Sequence, residues 1–128
     1  MTTILDAGAF IALDRNDRSM WVRLKGLHLA GERPVTHGGV VGQVWRGGPR
    51  QARLATALAG TDVRSLDERL GRAAGELLGS TRMSDVVDAA LVVLVVLAAD
   101  GDEIITLDSD DLERLAVSAG RHVELIRP

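Results

Sequence analysis

Aspartates are the residues here with the most chemistry to offer, and their positions are not random. Asp6 follows the strand-like run Thr3-Ile4-Leu5, and Asp108 follows Ile104-Ile105-Thr106-Leu107. Each stands where an extended segment ends. If those two strands are neighbours in a parallel sheet, both carboxylates project into the crevice beyond its carboxyl edge, where ligands of such sheets bind. Asp85 and Asp88 are three residues apart at the head of a strongly apolar stretch, so they share a face in the first turn of a helix. Asp110 and Asp111 come directly after Asp108. Carboxylates gathered at one place repel one another, and a hard divalent cation relieves that repulsion. Oxygen-only ligands suit Mg²⁺ or Mn²⁺, and an ion held this way can activate water and neutralise charge on a phosphodiester. A plainer alternative leaves Asp85 and Asp88 complementing the helix dipole and capping its free N–H groups, and Asp110 and Asp111 as helix caps.

The elements that must position these groups alternate between short β-like and longer helical runs. After the first strand comes a short helix near residues 7–13, then a helix near 18–30. Residues 34–37 predict a second strand, broken by Gly38-Gly39, with a helix through Val40, Val41, Val44 and Trp45. The Gly47-Gly48-Pro49 triplet ends that helix. A further helix is expected over about 50–59 and a third strand over 63–66. Asp67 is placed to cap a helix with Leu70, Ala73, Ala74, Leu77 and Leu78 at helical spacing. Ser84 reads as the N-cap of the apolar helix, which reaches about Ala99. Asp100-Gly101-Asp102 reads as a turn before a strand over 103–107. A helix over about 110–119 stops at Gly120, and 122–126 closes as a fifth strand. Strands separated by helices imply an α/β fold with a mainly parallel sheet covered on both faces.

Composition bounds the rest. The chain has 128 residues, near the size of one domain, and neither linker nor repeat divides it, so residues 1–128 read as a single domain. It is 46% hydrophobic but only 2% aromatic, so the core must be mostly aliphatic. There is no cysteine, which excludes disulfides, thiolate chemistry and Cys-containing zinc sites. The longest apolar run, Ala89 to Ala99, is too short for a membrane span of roughly 20 residues. With no secretory-type start, a cytoplasmic location is expected. The net charge of −3 argues against binding nucleic acid by bulk charge. Lys25 is the only lysine, and all other cationic side chains are arginine, whose planar fork suits phosphate.

Taken together, the motifs resemble the PIN-domain family. Ile4-Leu5-Asp6-Ala7-Gly8-Ala9 is similar to the family's opening, in which an Asp after the first strand precedes small residues. Asp88-Ala89-Ala90 resembles its later Asp-Ala motif, and Ile105-Thr106-Leu107-Asp108 its hydrophobic-Thr-x-Asp motif, continued by Ser109-Asp110-Asp111-Leu112. The resemblance covers essentially the whole chain. It implies a three-layer fold with a five-stranded sheet ordered 3-2-1-4-5, which puts strands one and four side by side. It further implies that Asp6, Asp88 and Asp108 are catalytic and bind Mg²⁺ or Mn²⁺; Asp85 and Asp111, from their positions in this chain, are further candidates to supply charge there. Small bacterial members are mostly VapC-like toxins: endoribonucleases held inactive by a cognate antitoxin, and commonly homodimers. A ribonuclease acting on RNA, with an antitoxin partner, is therefore the expectation.

One family position departs. The acidic site normally includes a Glu on the helix after strand two, and the matching residue in Val40-Val41-Gly42-Gln43-Val44-Trp45 is Gln43. Its carbonyl can still ligate or orient water, but it brings no negative charge and cannot act as a general base. Weaker metal binding and reduced or absent cleavage follow, leaving an RNA- or antitoxin-binding module as the competing reading. Arg46 lies three residues on, near the same helix face, where an RNA phosphate could use it, with Arg50 and Arg53 beyond. The alternative for all three is a solvated cation cluster at a helix end. The histidines, His28, His37 and His122, have no partners at zinc-ligand spacing, and Trp21 and Trp45 read as core or dimer-interface anchors. Two other α/β families that begin with an Asp after strand one fit poorly. A haloacid-dehalogenase-type enzyme needs a second Asp where Gly8 stands, and a response-regulator receiver needs a late lysine.

Overall fold

In the computed structural model, residues 2–97, 101–107 and 109–128 are described, with the backbone alone at 101 and 102. Asp108, one of the three central aspartates of the sequence reading, lies outside the described residues.

The chain runs β1 (Thr2–Leu5), α1 (Ala7–Asp14), α2 (Arg18–Leu29), β2 (Val35–His37), α3 (Gly38–Val44), a 3-10 turn (Pro49–Gln51) and α4 (Ala52–Ala59). It continues through β3 (Asp62–Arg64), α5 (Glu68–Gly79), α6 (Val86–Leu97), β4 (Gly101–Ile105), α7 (Ser109–Ser118) and β5 (Glu124–Ile126). The strands form one five-stranded sheet in the order β3-β2-β1-β4-β5. All described pairings are parallel. Parallel strands cannot be joined by hairpins, so each connection crosses over through helix. Consecutive connections leave β1 toward β2 on one side and reach β4 on the other. The strand order reverses at β1, with β4 as its neighbour across the switch.

The helices divide into two sets. α1 packs on α2, α3 and α4, whereas α6 packs on α5 and α7 and also touches β1, β2 and β4. Both faces of the sheet are therefore covered, as buried parallel strands require. Ile4, Leu5, Ile104 and Ile105 are fully buried in the two central strands. Phe10, the single phenylalanine, and Leu13 fill one layer, while Ala89 through Val95 fill the other. α6 is apolar around nearly its whole circumference because neighbours surround it.

Several boundaries differ from the sequence reading for local reasons. α6 is capped by Asp85 rather than Ser84: the Asp85 carboxylate accepts from the Val87 and Asp88 amides at 2.9 and 3.2 Å. β4 begins at Gly101, so the expected turn at Gly101-Asp102 is strand, held by pairing of Thr2 with Gly101 and Thr3 with Glu103. β3 starts one residue early and ends at Arg64, because β2 offers it only Val35, Thr36 and His37 as partners. Asp67 does cap α5, accepting from the Leu70 amide at 2.9 Å, and the stop at Gly120 has a positive φ of 71°.

Candidate functional site

Asp6 is built into the fold at three points. Its amide continues the β1–β4 ladder by donating to the Ile105 carbonyl at 3.0 Å. One carboxylate oxygen accepts from the Ala7 amide at 2.6 Å, which caps α1. The other accepts from the Thr106 hydroxyl at 2.8 Å. Capping explains why a polar residue ends the strand, and the two fixed bonds leave the carboxylate little rotameric freedom. Asp6 is only 5% exposed. A hydroxyl bond of the same kind ties β2 to this edge, from Thr36 to the Leu5 carbonyl at 2.8 Å.

The small residues after Asp6 have a steric reason. A Cβ at Gly8 would lie 2.7 Å from Leu107 Cγ and 2.9 Å from its backbone nitrogen, so α1 and the segment leaving β4 approach too closely for a side chain. That segment leads directly to Asp108. Gly8 thus sets how near the chain leaving β4 comes to Asp6.

Asp88 enters from the first turn of α6 and is 5% exposed. Asp85 stands at the head of the same helix, exposed, with one oxygen engaged as the cap described above. Gln43, exposed on α3, completes the group. Asp6, Gln43, Asp85 and Asp88 line one open cleft of about 430 Å³ together with Ala7, Gly8, Ile11 and Leu107. Ile11 and Leu107, exposed by 36% and 54%, give it an apolar lip. Four chain segments distant in sequence meet there.

Other sequence candidates lie elsewhere. Asp110 and Asp111 are in the first turn of α7 and are absent from the cleft lining. Arg46 is turned back on its own helix: its guanidinium donates to the Gly42 and Trp45 carbonyls at 3.0 and 2.7 Å. Gln51 finishes that cap, accepting from the Arg46 and Gly47 amides and donating to the Val44 carbonyl. Arg50 and Arg53 are exposed. Trp21 packs against the core and its indole donates to the Leu13 carbonyl at 3.0 Å, whereas Trp45 is 40% exposed.

Two residues next to the cleft were not assigned these roles from the sequence. Thr106 was part of a motif, but its bond to Asp6 depends on the β1–β4 pairing. His37 carried no signal beyond preceding a helix, yet it is fully buried. Its Nδ1 accepts from the Gly39 amide at 3.0 Å, and its Nε2 lies 2.9 Å from the Val87 carbonyl. Burial holds its pKa below the ordinary 6.5, against the opposing pull of the Val87 carbonyl and of the charges on Asp6 and Asp85. A neutral ring fits both bonds, with the proton on Nε2.

The polar side chains lining the cleft are, among the described residues, three carboxylates and an amide, whose oxygens suit a hard cation rather than zinc or copper. Among the described residues, no group of three His, Asp or Glu side chains is close enough to enclose an ion by itself. Also among them, no helix is long and apolar enough to cross a membrane. The chain matches no protein-family model and no curated sequence.

Proposed function

We propose that this chain is a metal-dependent endoribonuclease of the PIN/VapC type, the toxin of a type II toxin–antitoxin pair, which hydrolyses RNA phosphodiesters. The observation that carries this reading is the meeting of Asp6, Gln43, Asp85 and Asp88 in one cleft at the switch point of a 3-2-1-4-5 parallel sheet. The strand order is the one the PIN resemblance implies.

In this reading Asp6 and Asp88 hold Mg²⁺ or Mn²⁺, Asp108 joins them by the same resemblance, and the Gln43 carbonyl or Asp85 adds a further oxygen. When held by these residues, such an ion would lower the pKa of a water and neutralise charge on the scissile phosphate. The protein's own part is to keep the ligands from wandering. Thr106 and the Ala7 amide fix Asp6, and the head of α6 aims Asp88. The lip of Ile11 and Leu107 offers apolar surface to the face of a nucleobase. A cognate antitoxin, a homodimer and a cytoplasmic location belong to the same proposal.

A second reading has its own observation. Gln43 places a neutral amide where a carboxylate would complete the site, which favours a module that binds RNA or antitoxin without cutting. Cleavage of RNA by purified, antitoxin-free protein in Mn²⁺ separates the two. The nuclease reading expects cutting that EDTA stops and that Asp6→Asn lowers by at least about 100-fold, since even residues behind metal ligands are worth 10–100-fold. Asn caps a helix as well as Asp, so the variant should stay folded. Cleavage that persists in Asp6→Asn marks a contaminant. RNA binding without cutting by either protein sinks the nuclease and leaves the binding module.

A further inference from the structure

His37 joins three parts of the site. It ends β2, caps the helix that carries Gln43, and reaches the first turn of the helix that carries Asp88. Because Nδ1 accepts from the Gly39 amide, that nitrogen holds a lone pair and the ring proton sits on Nε2. Nε2–H then donates to the Val87 carbonyl, one residue before Asp88. Room for the ring comes from Gly39, where a Cβ would lie 2.8 Å from His37 Cε1 and 3.0 Å from Nδ1. The first turn of α6 is thus held twice, by its own Asp85 cap and by a ring from the end of β2.

We propose that His37 is a positioning residue, a clamp whose Nε2–H bond to Val87 sets where the head of α6 presents Asp88 to the cleft and to Gln43. Its link to metal rests on the cleft being a metal site as proposed above; the clamp itself does not. Second-layer donors of this kind orient ligands without touching the ion.

Two substitutions in the full chain separate the halves of the ring. His37→Gln extends an N–H donor to about the depth of Nε2. His37→Asn keeps an acceptor near Nδ1 for Gly39 but falls short of Val87. Amide hydrogen exchange read by NMR compares the first turn of α6, residues 87–90, with α4 as an internal reference for global stability. In His37→Asn the α6 amides should exchange about tenfold faster relative to α4, matching the loss of roughly one hydrogen bond. In His37→Gln they should stay within about threefold of the original protein. Equal behaviour of the two variants, or no change relative to α4, overturns the clamp. Should either variant fail to fold, ¹⁵N spectra of the His37 ring in the unaltered protein decide the matter: a proton on Nδ1 instead of Nε2 overturns it as well.

Mn²⁺ titration by calorimetry tests the consequence for the site. Affinity should fall about tenfold in His37→Asn and hold in His37→Gln. Unchanged affinity beside a loosened helix head overturns the positioning role. Unaltered protein that binds no Mn²⁺ defeats the nuclease reading instead, and the exchange experiment alone then decides the clamp.

Discussion

The two walls of the cleft are made differently. On the β1–β4 wall, Asp6 is buried, its carboxylate engaged by the Ala7 amide and the Thr106 hydroxyl, with Gly8 packed against Leu107 beside it. On the α3 wall, Gln43 is exposed and neutral, and Arg46, three residues further along the chain, is drawn back onto the end of the helix. The first wall is preorganised for a charge, whereas the second brings a polar atom and no charge. Preorganisation and charge supply are therefore separable in this protein, and each can be altered without the other.

Removing Thr106's hydroxyl attacks the ordered wall. Thr106→Val keeps the shape but strips a donor from a buried carboxylate, a change worth about 1.5–3 kcal/mol for bonds to charged groups. Urea denaturation should show a loss of that size, and Mn²⁺ affinity should drop about tenfold as Asp6 gains freedom. A Thr106→Val protein of unchanged stability would mean that the ordered wall does not depend on this bond.

Acid should loosen the junction between the walls through His37. Its folded pKa lies below the unfolded value of 6.5, so the folded state binds fewer protons there than the unfolded chain. The stability this provides is present in full above pH 6.5 and is lost as pH falls from there through the folded pKa. Urea midpoints should therefore decline as the pH falls below 6.5, before most carboxylates titrate. His37→Gln should flatten that decline, and an identical slope in both proteins would place the acid sensitivity elsewhere.

The smallest effect on stability belongs to the other wall. Gln43→Glu changes an exposed side chain and should shift stability by no more than about 0.5 kcal/mol. Its signature is instead tighter Mn²⁺ binding, because the added carboxylate faces the same cleft as Asp6 and Asp88. If calorimetry finds the Mn²⁺ affinity unmoved, the α3 wall is not part of the ion's surroundings.

The ordered wall was partly legible in the sequence. An aspartate after Thr3-Ile4-Leu5 marks a strand end, whereas the close approach of Leu107 that requires Gly8 was not read from the sequence. Asp67 and Gly120 were equally plain, because a cap and a left-handed stop are local events that a few residues settle. Asp85 as the cap of α6 stood only as an alternative beside Ser84, an equally good capping type, and only the helix's actual first turn chooses between adjacent candidates. Gly101-Asp102 looked like a turn, yet pairing with β1 draws it into β4. Arg46 offered a phosphate contact on residue type and helix face, and the sequence does not choose between that and the bonds it makes to the carbonyls of Gly42 and Trp45 at its own helix end.

By itself the sequence determined the alternation of strands and helices, the aliphatic core and the positions of the aspartates, since periodicity and capping act over a few residues. Tertiary structure decided which of those groups share a cleft. The pairing of β1 with β4 delivers Thr106 to Asp6 across about a hundred residues and brings Leu107 against Gly8. The packing of α6 on β2 delivers the Val87 carbonyl to His37. Hydrogen bonds and steric contacts act over a few ångströms of space, whatever the distance along the chain. A histidine whose local partner is the Gly39 amide therefore became a bridge to α6 once the fold closed around it.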